Sequence, residues 1–367
     1  MGKPIDRLSI EGYKSIRSLQ DFELRPLNIL IGPNGAGKSN FVSFFEMLRQ
    51  MVEQRLQLFV QKHGGADAHL YLGPKITKRI VGHLYFALGG YEFILEPTAD
   101  GKLVFAAEQM YVAEPPEGPI RLSLGSGHDE TKIREASEKA WKDPTPTGIY
   151  SAISSWMVYH FHDTSDTAGV KRRCSIRDNE YLRHDASNLS AFLFSLQKKA
   201  PNSYMAIRDA VRLVAPFFDD FKLRPVEEGS DEIELEWRQV NSDFPFHASQ
   251  LSDGTLRFIC LAATLLQPNP PSTILLDEPE LGMHPYALTL LASLLKQASD
   301  LTQVIVSTQS APLLNSFEPE DVVVVEREGS ESVFRRLDRA SVDEWLKDYS
   351  LGDLWQKNVI GGRPTNG

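Results

Sequence analysis

A glycine-rich segment near the N-terminus constrains this chain more than any other feature. The residues 32–39, Gly-Pro-Asn-Gly-Ala-Gly-Lys-Ser, fit the pattern G-x-x-x-x-G-K-[ST]. Glycines let the backbone curl so that its N–H groups surround phosphates, and a following helix adds its positive N-terminal end. The spacing therefore predicts a P-loop, in which Lys38 reaches the β- and γ-phosphates of a nucleoside triphosphate and Ser39 ligates Mg²⁺.

The residues around this loop have the patterns that a P-loop needs. The apolar run 26–31 ends at Gly32 and predicts a buried strand. From Asn40 to about Val60, large apolar residues recur at helical spacing, which predicts a helix after the loop. The predicted ATP-binding residues are those of the loop and a pair that precedes it: Asn34, Gly35, Ala36, Gly37, Lys38, Ser39, Asn40, Lys14 and Ser15.

A second apolar strand ends in acidic residues. The run 273–276 leads directly into Asp277 and Glu278. A carboxylate at the tip of a buried strand is costly unless it meets a cation, so Asp277 is predicted to hold Mg²⁺ through water. Glu278 is then predicted to orient or deprotonate the water that attacks the γ-phosphate.

A short polar segment lies between the P-loop and the acidic strand end. Leu251, Ser252, Asp253 and Gly254 precede an apolar helix that runs to Leu266. Small polar residues and a glycine at a helix N-terminus form a natural anion site. Ser and Asp are also common helix caps, so an ordinary capped helix is the alternative interpretation.

The order of these three motifs resembles that of ABC-type ATPases. The stretch 278–285, Glu-Pro-Glu-Leu-Gly-Met-His-Pro, is similar to the version in RecF-like and OLD-like ATPases. Residues 12–15 and 159–163 resemble the same group, and the resemblance covers nearly the whole chain. It implies an α/β P-loop NTPase fold, an ABC-type ATPase head with an antiparallel β lobe, a mixed or parallel core sheet and a helical insertion.

The resemblance also implies that a homodimer is the working unit. Two heads would sandwich two ATPs, each bound by the P-loop of one chain and the signature segment of the other. The signature residues acting in trans would be Leu251, Ser252, Asp253 and Gly254. The resemblance thus implies that hydrolysis requires the dimer, ATP and Mg²⁺.

Two positions depart from the family pattern. Gln309 stands where the switch segment of ABC ATPases usually has histidine. An amide can bond a phosphate oxygen or the water but cannot become a cation, so we expect slow hydrolysis with Glu278 and Gln309 as catalytic residues. Binding of ATP without turnover is the alternative. The Q-loop glutamine has no clean counterpart, and its candidates, which could equally be structural residues at a strand end, are His160, His162 and Asp163.

The patterns predict five segments along the chain. They are an N-terminal β segment with the P-loop at 1–60, a β-rich insertion with surface loops at 61–184, a helical insertion at 185–245, the signature, Walker B and switch motifs at 246–335, and a C-terminal helix and tail at 336–367. The apolar residues between Trp345 and Trp355 are too many for a free end. We therefore expect the tail to pack on the ATPase core or to dock a partner.

Composition and charge narrow the class of protein. The formal net charge of −10 over 367 residues argues against a surface that is basic overall. The basic run Lys171, Arg172 and Arg173 is the candidate nucleic-acid contact, although such runs are also typical of solvated surfaces. Cys174 and Cys260 are expected to be reduced thiols. No segment has the length of a membrane span or the pattern of a signal peptide, so we expect a cytoplasmic protein that contacts no membrane.

The biological role is less constrained than the chemistry. Sustained heptads are absent between the P-loop and the signature, so the coiled-coil arms of SMC-type proteins are not expected. The chain ends soon after the switch strand, so the C-terminal nuclease domain of OLD-type proteins is not expected either.

The first of three hypotheses is an ATP-driven dimeric switch in DNA repair or antiphage defence, acting with DNA or a separate effector. The second is a nucleotide-binding subunit of a transporter, which the large insertion and the stretch 278–285 disfavour. The third is an ATP-sensing scaffold with little turnover.

Overall fold

The computed structural model describes residues 4–87, 89–112, 120–139 and 144–362. Parts of the expected segments 1–60, 61–184 and 336–367 therefore lie outside the described residues. The strands and helices are, in chain order, β1 Arg7–Tyr13, β2 Ile16–Glu23, β3 Leu27–Ile31, α1 Lys38–Val52, α2 Leu56–Lys62, β4 Ile80–Phe86, β5 Gly89–Pro97, β6 Leu103–Val112, β7 Ile120–Gly125, α3 Ile133–Lys139, α4 Pro144–Ser155, β8 Met157–Tyr159, β9 Cys174–Ser175, α5 Leu189–Lys199, α6 Pro201–Val214, β10 Phe218–Phe221, β11 Glu232–Ile233, β12 Glu236–Gln239, β13 Pro245–His247, α7 Asp253–Leu265, β14 Thr273–Asp277, α8 Pro285–Ser299, β15 Gln303–Thr308, α9 Ala311–Leu314, β16 Val322–Glu328, β17 Glu331–Arg336, α10 Arg339–Val342 and α11 Leu351–Gln356.

The chain divides into two compact units. The first runs from the N-terminus to Val158 and includes Pro271–Leu275 and the segment from Glu318 onward. The second comprises Tyr159–Pro270 and Leu276–Phe317. The P-loop therefore lies in the first unit, and the signature, the acidic strand end and the switch segment lie in the second.

The first unit contains a six-stranded antiparallel sheet in the order β2-β1-β4-β5-β6-β7. Strand β4 alternates between buried and half-buried positions, as expected for a strand that packs one face on the core. Its buried Leu84 pairs with Leu8 of β1 on one side and with Tyr91 of β5 on the other. This sheet confirms the antiparallel β lobe.

A mixed sheet in the same unit leads into the P-loop. Strand β3 is buried at all its positions, and β16 pairs parallel with β3 and antiparallel with β17. Strands buried on both faces are typical of the central position in such sheets, and the mainly apolar sequence of β3 fits that position, although it includes the buried Asn28. The mixed core sheet implied by the resemblance is thus confirmed, and the P-loop begins directly after β3.

The helix after the P-loop is shorter than the sequence predicts. Helix α1 buries a stripe at helical spacing that includes Phe41, Phe44 and Phe45, but it ends at Val52. Gln54 then adopts a φ of 59°, outside the helical region. The next helix, α2, is capped from a distant part of the chain, because the Glu130 carboxylate accepts hydrogen bonds from the backbone N–H groups of Leu56 at 2.9 Å and Gln57 at 3.1 Å. The prediction of one helix to about Val60 is therefore wrong.

Helices α5 and α6 form the helical insertion in the second unit. Pro201 occupies the first turn of α6, where its missing N–H costs nothing, and it divides the two helices. The helical part of the expected segment 185–245 ends at Val214. After it, β10, β12 and β13 form a three-stranded antiparallel sheet, in which Trp237 stacks on Phe218 at 6.1 Å and on Phe246 at 4.8 Å.

The C-terminal segment packs within the first unit. Leu351 and Leu354 of α11 are buried, at 4% and 0% exposure. The Trp355 Nε1 donates to the Gly362 carbonyl at 2.9 Å, and the Gly362 N–H donates to Glu326 of β16 at 2.8 Å. Packing on the core is thus observed for this part of the tail. Nowhere in the described part of the chain is there a helix long and apolar enough to span a bilayer.

Candidate functional site

The P-loop has a backbone that only glycine fits. Gly35 and Gly37 have φ values of 77° and 113°, which disfavour any other residue. A Cβ on Gly32 would lie 2.2 Å from the Val325 carbonyl oxygen, and one on Gly37 would lie 2.0 Å from the Ser332 hydroxyl. The loop is therefore held against β16 and β17 at a distance that leaves no room for side chains, as a phosphate cradle requires.

Lys38 is buried within this loop at the start of α1. Its ammonium donates to the Gly32 carbonyl at 2.7 Å and to the Pro33 carbonyl at 3.0 Å, and the residue is only 5% exposed. A buried cation beside a curled loop and a helix N-terminus is well suited to a polyphosphate. The adjacent Ser39 contributes a hydroxyl, and oxygen donors of this kind suit Mg²⁺.

The side chains of the predicted contacts Lys14, Ser15 and Asn40 form hydrogen bonds with other side chains of the first unit. The Ser15 hydroxyl accepts hydrogen bonds from the Asn40 amide and the Ser332 hydroxyl, both at 2.7 Å. The Lys14 ammonium donates to the Ser43 hydroxyl at 2.7 Å. The Ser15 hydroxyl lies against the loop, since a Cβ on Gly37 would be 2.8 Å from it. Direct contact of Ser15 and Asn40 with a nucleotide stays a prediction.

The acidic strand end in the second unit turns sharply after Asp277. Glu278 has a φ of 42°, a left-handed conformation that is strained for a residue with a side chain. Its N–H donates to the Ser307 carbonyl at 2.7 Å, which joins the turn to β15. The Gln309 Nε2 donates to the Glu278 carboxylate. The two residues predicted to be catalytic are thus in direct contact.

The signature segment forms the exposed start of helix α7. Ser252 caps the helix, because its hydroxyl accepts from the Thr255 N–H at 3.2 Å. Ser252 and Asp253 are exposed, whereas Leu251 is buried. A Cβ on Gly254 would lie 2.3 Å from the Gly282 carbonyl oxygen, so glycine alone permits the helix to approach the loop after the acidic turn.

Arg257 ties the signature helix to two other segments of the second unit. Its guanidinium donates to the Phe161 carbonyl at 2.8 Å, to the His162 carbonyl at 3.3 Å and to the Leu281 carbonyl. Burial lowers the pKa of Arg257 from its ordinary value, but the side chain makes three charge-assisted contacts. This role could not be predicted from the sequence, since an arginine in the second turn of a helix is ordinary.

We predict that Arg257→Met lowers the free energy of unfolding by about 1–3 kcal/mol, because it leaves carbonyl oxygens without their donor in a buried place. Chemical denaturation of the wild type and the variant measures the change. Arg177→Met is the matched control, since Arg177 is exposed and forms an ion pair with Asp231 at the surface. Equal destabilisation by the two variants would contradict the structural role of Arg257.

The three Q-loop candidates differ in what they contact. The His162 Nε2 lies 2.7 Å from the Asp277 carbonyl oxygen, so its side chain reaches the acidic turn. The His160 N–H donates to the His184 carbonyl at 2.9 Å. Asp163 is exposed, and its hydrogen bonds with Ser165 lower the pKa of its carboxyl. His162 therefore contacts the acidic turn, and a place next to the nucleotide for any of the three stays a prediction.

The candidate nucleic-acid residues are less available than the sequence suggests. The Lys171 side chain is buried, and its ammonium donates to the Thr164 carbonyl at 2.6 Å. Arg173 forms ion pairs with Glu234 at 3.3 Å and Glu232 at 3.9 Å. Arg172 is exposed. Nearby carboxylates thus neutralise part of the basic run, and Arg172 is its best placed member for a phosphate contact.

Comparisons with known proteins give matches in sequence and in structure. The family described as "AAA domain, putative AbiEii toxin, Type IV TA system" matches residues 149–315. The Old nuclease of Escherichia phage P2 is 24% identical in an alignment of 381 positions, gaps included, that covers 94% of this chain and 62% of that protein. This chain therefore corresponds to less than two thirds of that relative's length.

Solved structures with the same fold include heads of Smc proteins. One is an Smc head bound to the C-winged helix domain of ScpA, with 14% identity, a TM-score of 0.60, and coverage of 92% of this chain and 99% of that one. Another is an Smc head with an extended coiled coil bound to the C-terminal domain of ScpA, derived from Pyrococcus furiosus, with 14% identity, a TM-score of 0.53, and coverage of 94% and 99%. The fold is that of an ABC-type P-loop ATPase head. The sequence matches, to the AAA domain family and to the Old nuclease, support an OLD-like P-loop ATPase.

Proposed function

We propose that this protein is an Mg²⁺-dependent ATPase that works as a homodimeric switch. The observation that carries the proposal is that one chain contains two complementary half-sites. The first unit has a glycine cradle with the buried Lys38, and the second presents Ser252 at an exposed helix start. A signature that is exposed in its own chain is available to a nucleotide bound by a second copy.

ATP would be bound by the backbone of residues 34–40 and by Lys38. Mg²⁺ would be held by the Ser39 hydroxyl and, through water, by Asp277, because this cation prefers oxygen ligands. It would neutralise charge on the phosphates during the transfer. Glu278 would orient or deprotonate the attacking water, and Gln309 would hold the Glu278 carboxylate in place.

The surface around the signature supports association with a second copy. Leu281 and Tyr286, which lie in the loop against Gly254 and at the start of α8, are 40% and 52% exposed. Exposed apolar side chains beside a functional segment are typical of interaction surfaces. Ser252 and Asp253 lie on the same side of the unit as this loop, because Gly254 contacts Gly282 directly.

The role that we propose is in antiphage defence or DNA repair, with DNA or a separate effector protein as the target of the switch. The similarity to the Old nuclease of a phage and to a family described as a toxin of a toxin–antitoxin system supports a defence role. The exposed Arg172 offers one contact for nucleic acid, but the neutralised charge around it favours a protein effector over extensive DNA binding.

A mixing experiment tests the dimer directly. Lys38→Ala removes the P-loop cation and Ser252→Arg blocks the signature, so each variant alone should have little ATPase activity. In an equal mixture about half of the dimers are mixed and each has one intact site, so about a quarter of wild-type turnover should return. Phosphate release is the measurement.

The control mixture combines Lys38→Ala with Glu278→Gln. Both changes affect the half-site that acts on the chain's own nucleotide, so no mixed dimer contains an intact site and no activity should return. If the Lys38 and Ser252 variants also fail to complement each other, the shared site is wrong. If the wild type neither binds nor hydrolyses ATP, the proposed function itself is wrong.

A further inference from the structure

Glu280 makes contacts that the motifs do not explain. It lies two residues after Glu278, in the turn that follows β14. Its Oε1 accepts a hydrogen bond from the Thr308 hydroxyl at 2.5 Å and another from the Gln309 N–H at 3.0 Å. Its Oε2 is buried, and no hydrogen-bond partner for it lies among the described residues. Burial raises the pKa of this carboxyl above its ordinary value.

These bonds connect two segments that both contact Glu278. The Glu278 N–H donates to the Ser307 carbonyl, and the Gln309 amide donates to the Glu278 carboxylate. Glu280 joins the same turn to the two residues that follow Ser307. The end of β15 and the acidic turn are therefore linked by backbone and side-chain bonds on both sides of Glu278.

The strained backbone of Glu278 makes such links necessary. A left-handed conformation is strained for a residue with a Cβ, so the turn relaxes unless its surroundings hold it. The bond from the Glu278 N–H fixes the backbone on one side. The bonds of Glu280 to Thr308 and Gln309 fix the segment that carries the amide facing the Glu278 carboxylate.

We propose that Glu280 is a positioning residue for ATP hydrolysis, which acts by holding the Thr308–Gln309 backbone so that the Gln309 amide orients the Glu278 carboxylate. This inference rests on the proposed function. Glu280 does not itself act on water, because its Oε1 is occupied by two donors and its Oε2 is buried. Displacement of a catalytic group by about 1 Å can lower a rate about 100-fold, which is the scale of effect that a positioning residue has.

The test is a double-mutant cycle on Glu280 and Gln309. Glu280→Ala should lower kcat by about 10- to 100-fold while the KM for ATP changes by less than about 3-fold. Glu280→Gln keeps an oxygen where Oε1 lies, so it should regain most of the turnover that the alanine variant loses. In a Gln309→Ala background the Glu280→Ala change should add less than about 3-fold, because Glu280 acts through Gln309.

Thr308→Val is a second variant that preserves volume and removes one of the two donors, and it should lower kcat less than Glu280→Ala does. Glu228→Ala is the matched control, since Glu228 is an exposed glutamate of the same unit. Multiplicative losses in the cycle, or an alanine variant with wild-type kcat, would overturn the positioning role alone. Absence of turnover in the wild type would overturn the proposed function as well.

Discussion

Replacing Glu278 by glutamine should abolish most ATP turnover while ATP binding persists. The exchange removes the carboxylate that we propose orients or deprotonates water, and general-base catalysis is worth about 10²- to 10⁴-fold in rate. The amide at position 278 still offers an oxygen to the Gln309 Nε2, so the turn keeps its contact with the switch segment. We therefore expect kcat to fall by about 10²- to 10⁴-fold, while the affinity for ATP stays close to that of the wild type.

The same variant should accumulate as an ATP-bound dimer. If each nucleotide is held by two chains and hydrolysis releases them, blocking hydrolysis leaves the dimer closed. Size-exclusion chromatography with light scattering, with and without ATP and Mg²⁺, measures this, and Glu228→Gln is the control. Turnover of the variant equal to that of the wild type would remove the enzymatic role. A monomer that persists at saturating ATP would count against the dimer.

Replacing Lys38 by alanine should weaken ATP binding by about 30-fold or more. Truncating one partner of a buried charged pair costs about 2–5 kcal/mol, because the phosphates lose their cation in a site shielded from water. Lys38 is 5% exposed and its ammonium lies against the loop carbonyls of Gly32 and Pro33, so another side chain cannot take its place. Calorimetric titration with ATP and Mg²⁺ measures the change.

Lys62→Ala is the matched control for this variant, because Lys62 is exposed at the end of α2 in the same unit. Its affinity for ATP should equal that of the wild type. Lys38→Arg should also bind poorly, since the planar guanidinium is larger and cannot replace the compact ammonium inside the loop. If Lys38→Ala binds ATP with an affinity within about 3-fold of the wild type, the loop does not bind the phosphates. Such a change corresponds to less than the roughly 1.4 kcal/mol of a tenfold loss in affinity.

Motifs that combine local spacing with a fixed backbone could be predicted from the sequence. The spacing of Gly32, Gly37 and Lys38 specifies a loop that only glycine fits, and the structure shows the close contacts that explain it. The start of α7 at the capping Ser252 is equally local. These features depend on residues a few positions apart, so the sequence contains all the information that they need.

Features that depend on distant parts of the chain could not be predicted. The break between α1 and α2 involves Glu130, which is 74 residues beyond Leu56. The contacts of Glu280 are with residues 28 and 29 positions further on. Lys171 stands in a basic run that is typical of a surface, yet tertiary packing buries its side chain. Hydrophobic periodicity indicates which face of an element is buried, but not which polar groups meet across the fold.

The close approach of Gly254 to Gly282 has a mechanical consequence. Because Arg257 also donates to the Leu281 carbonyl, the start of α7 is in direct contact with the loop after the acidic turn. The surface that we propose to face a second copy is therefore tied directly to the turn that carries Glu278. In the proposed dimer, a shift of this turn on loss of phosphate would be passed to the neighbouring nucleotide without any flexible linker.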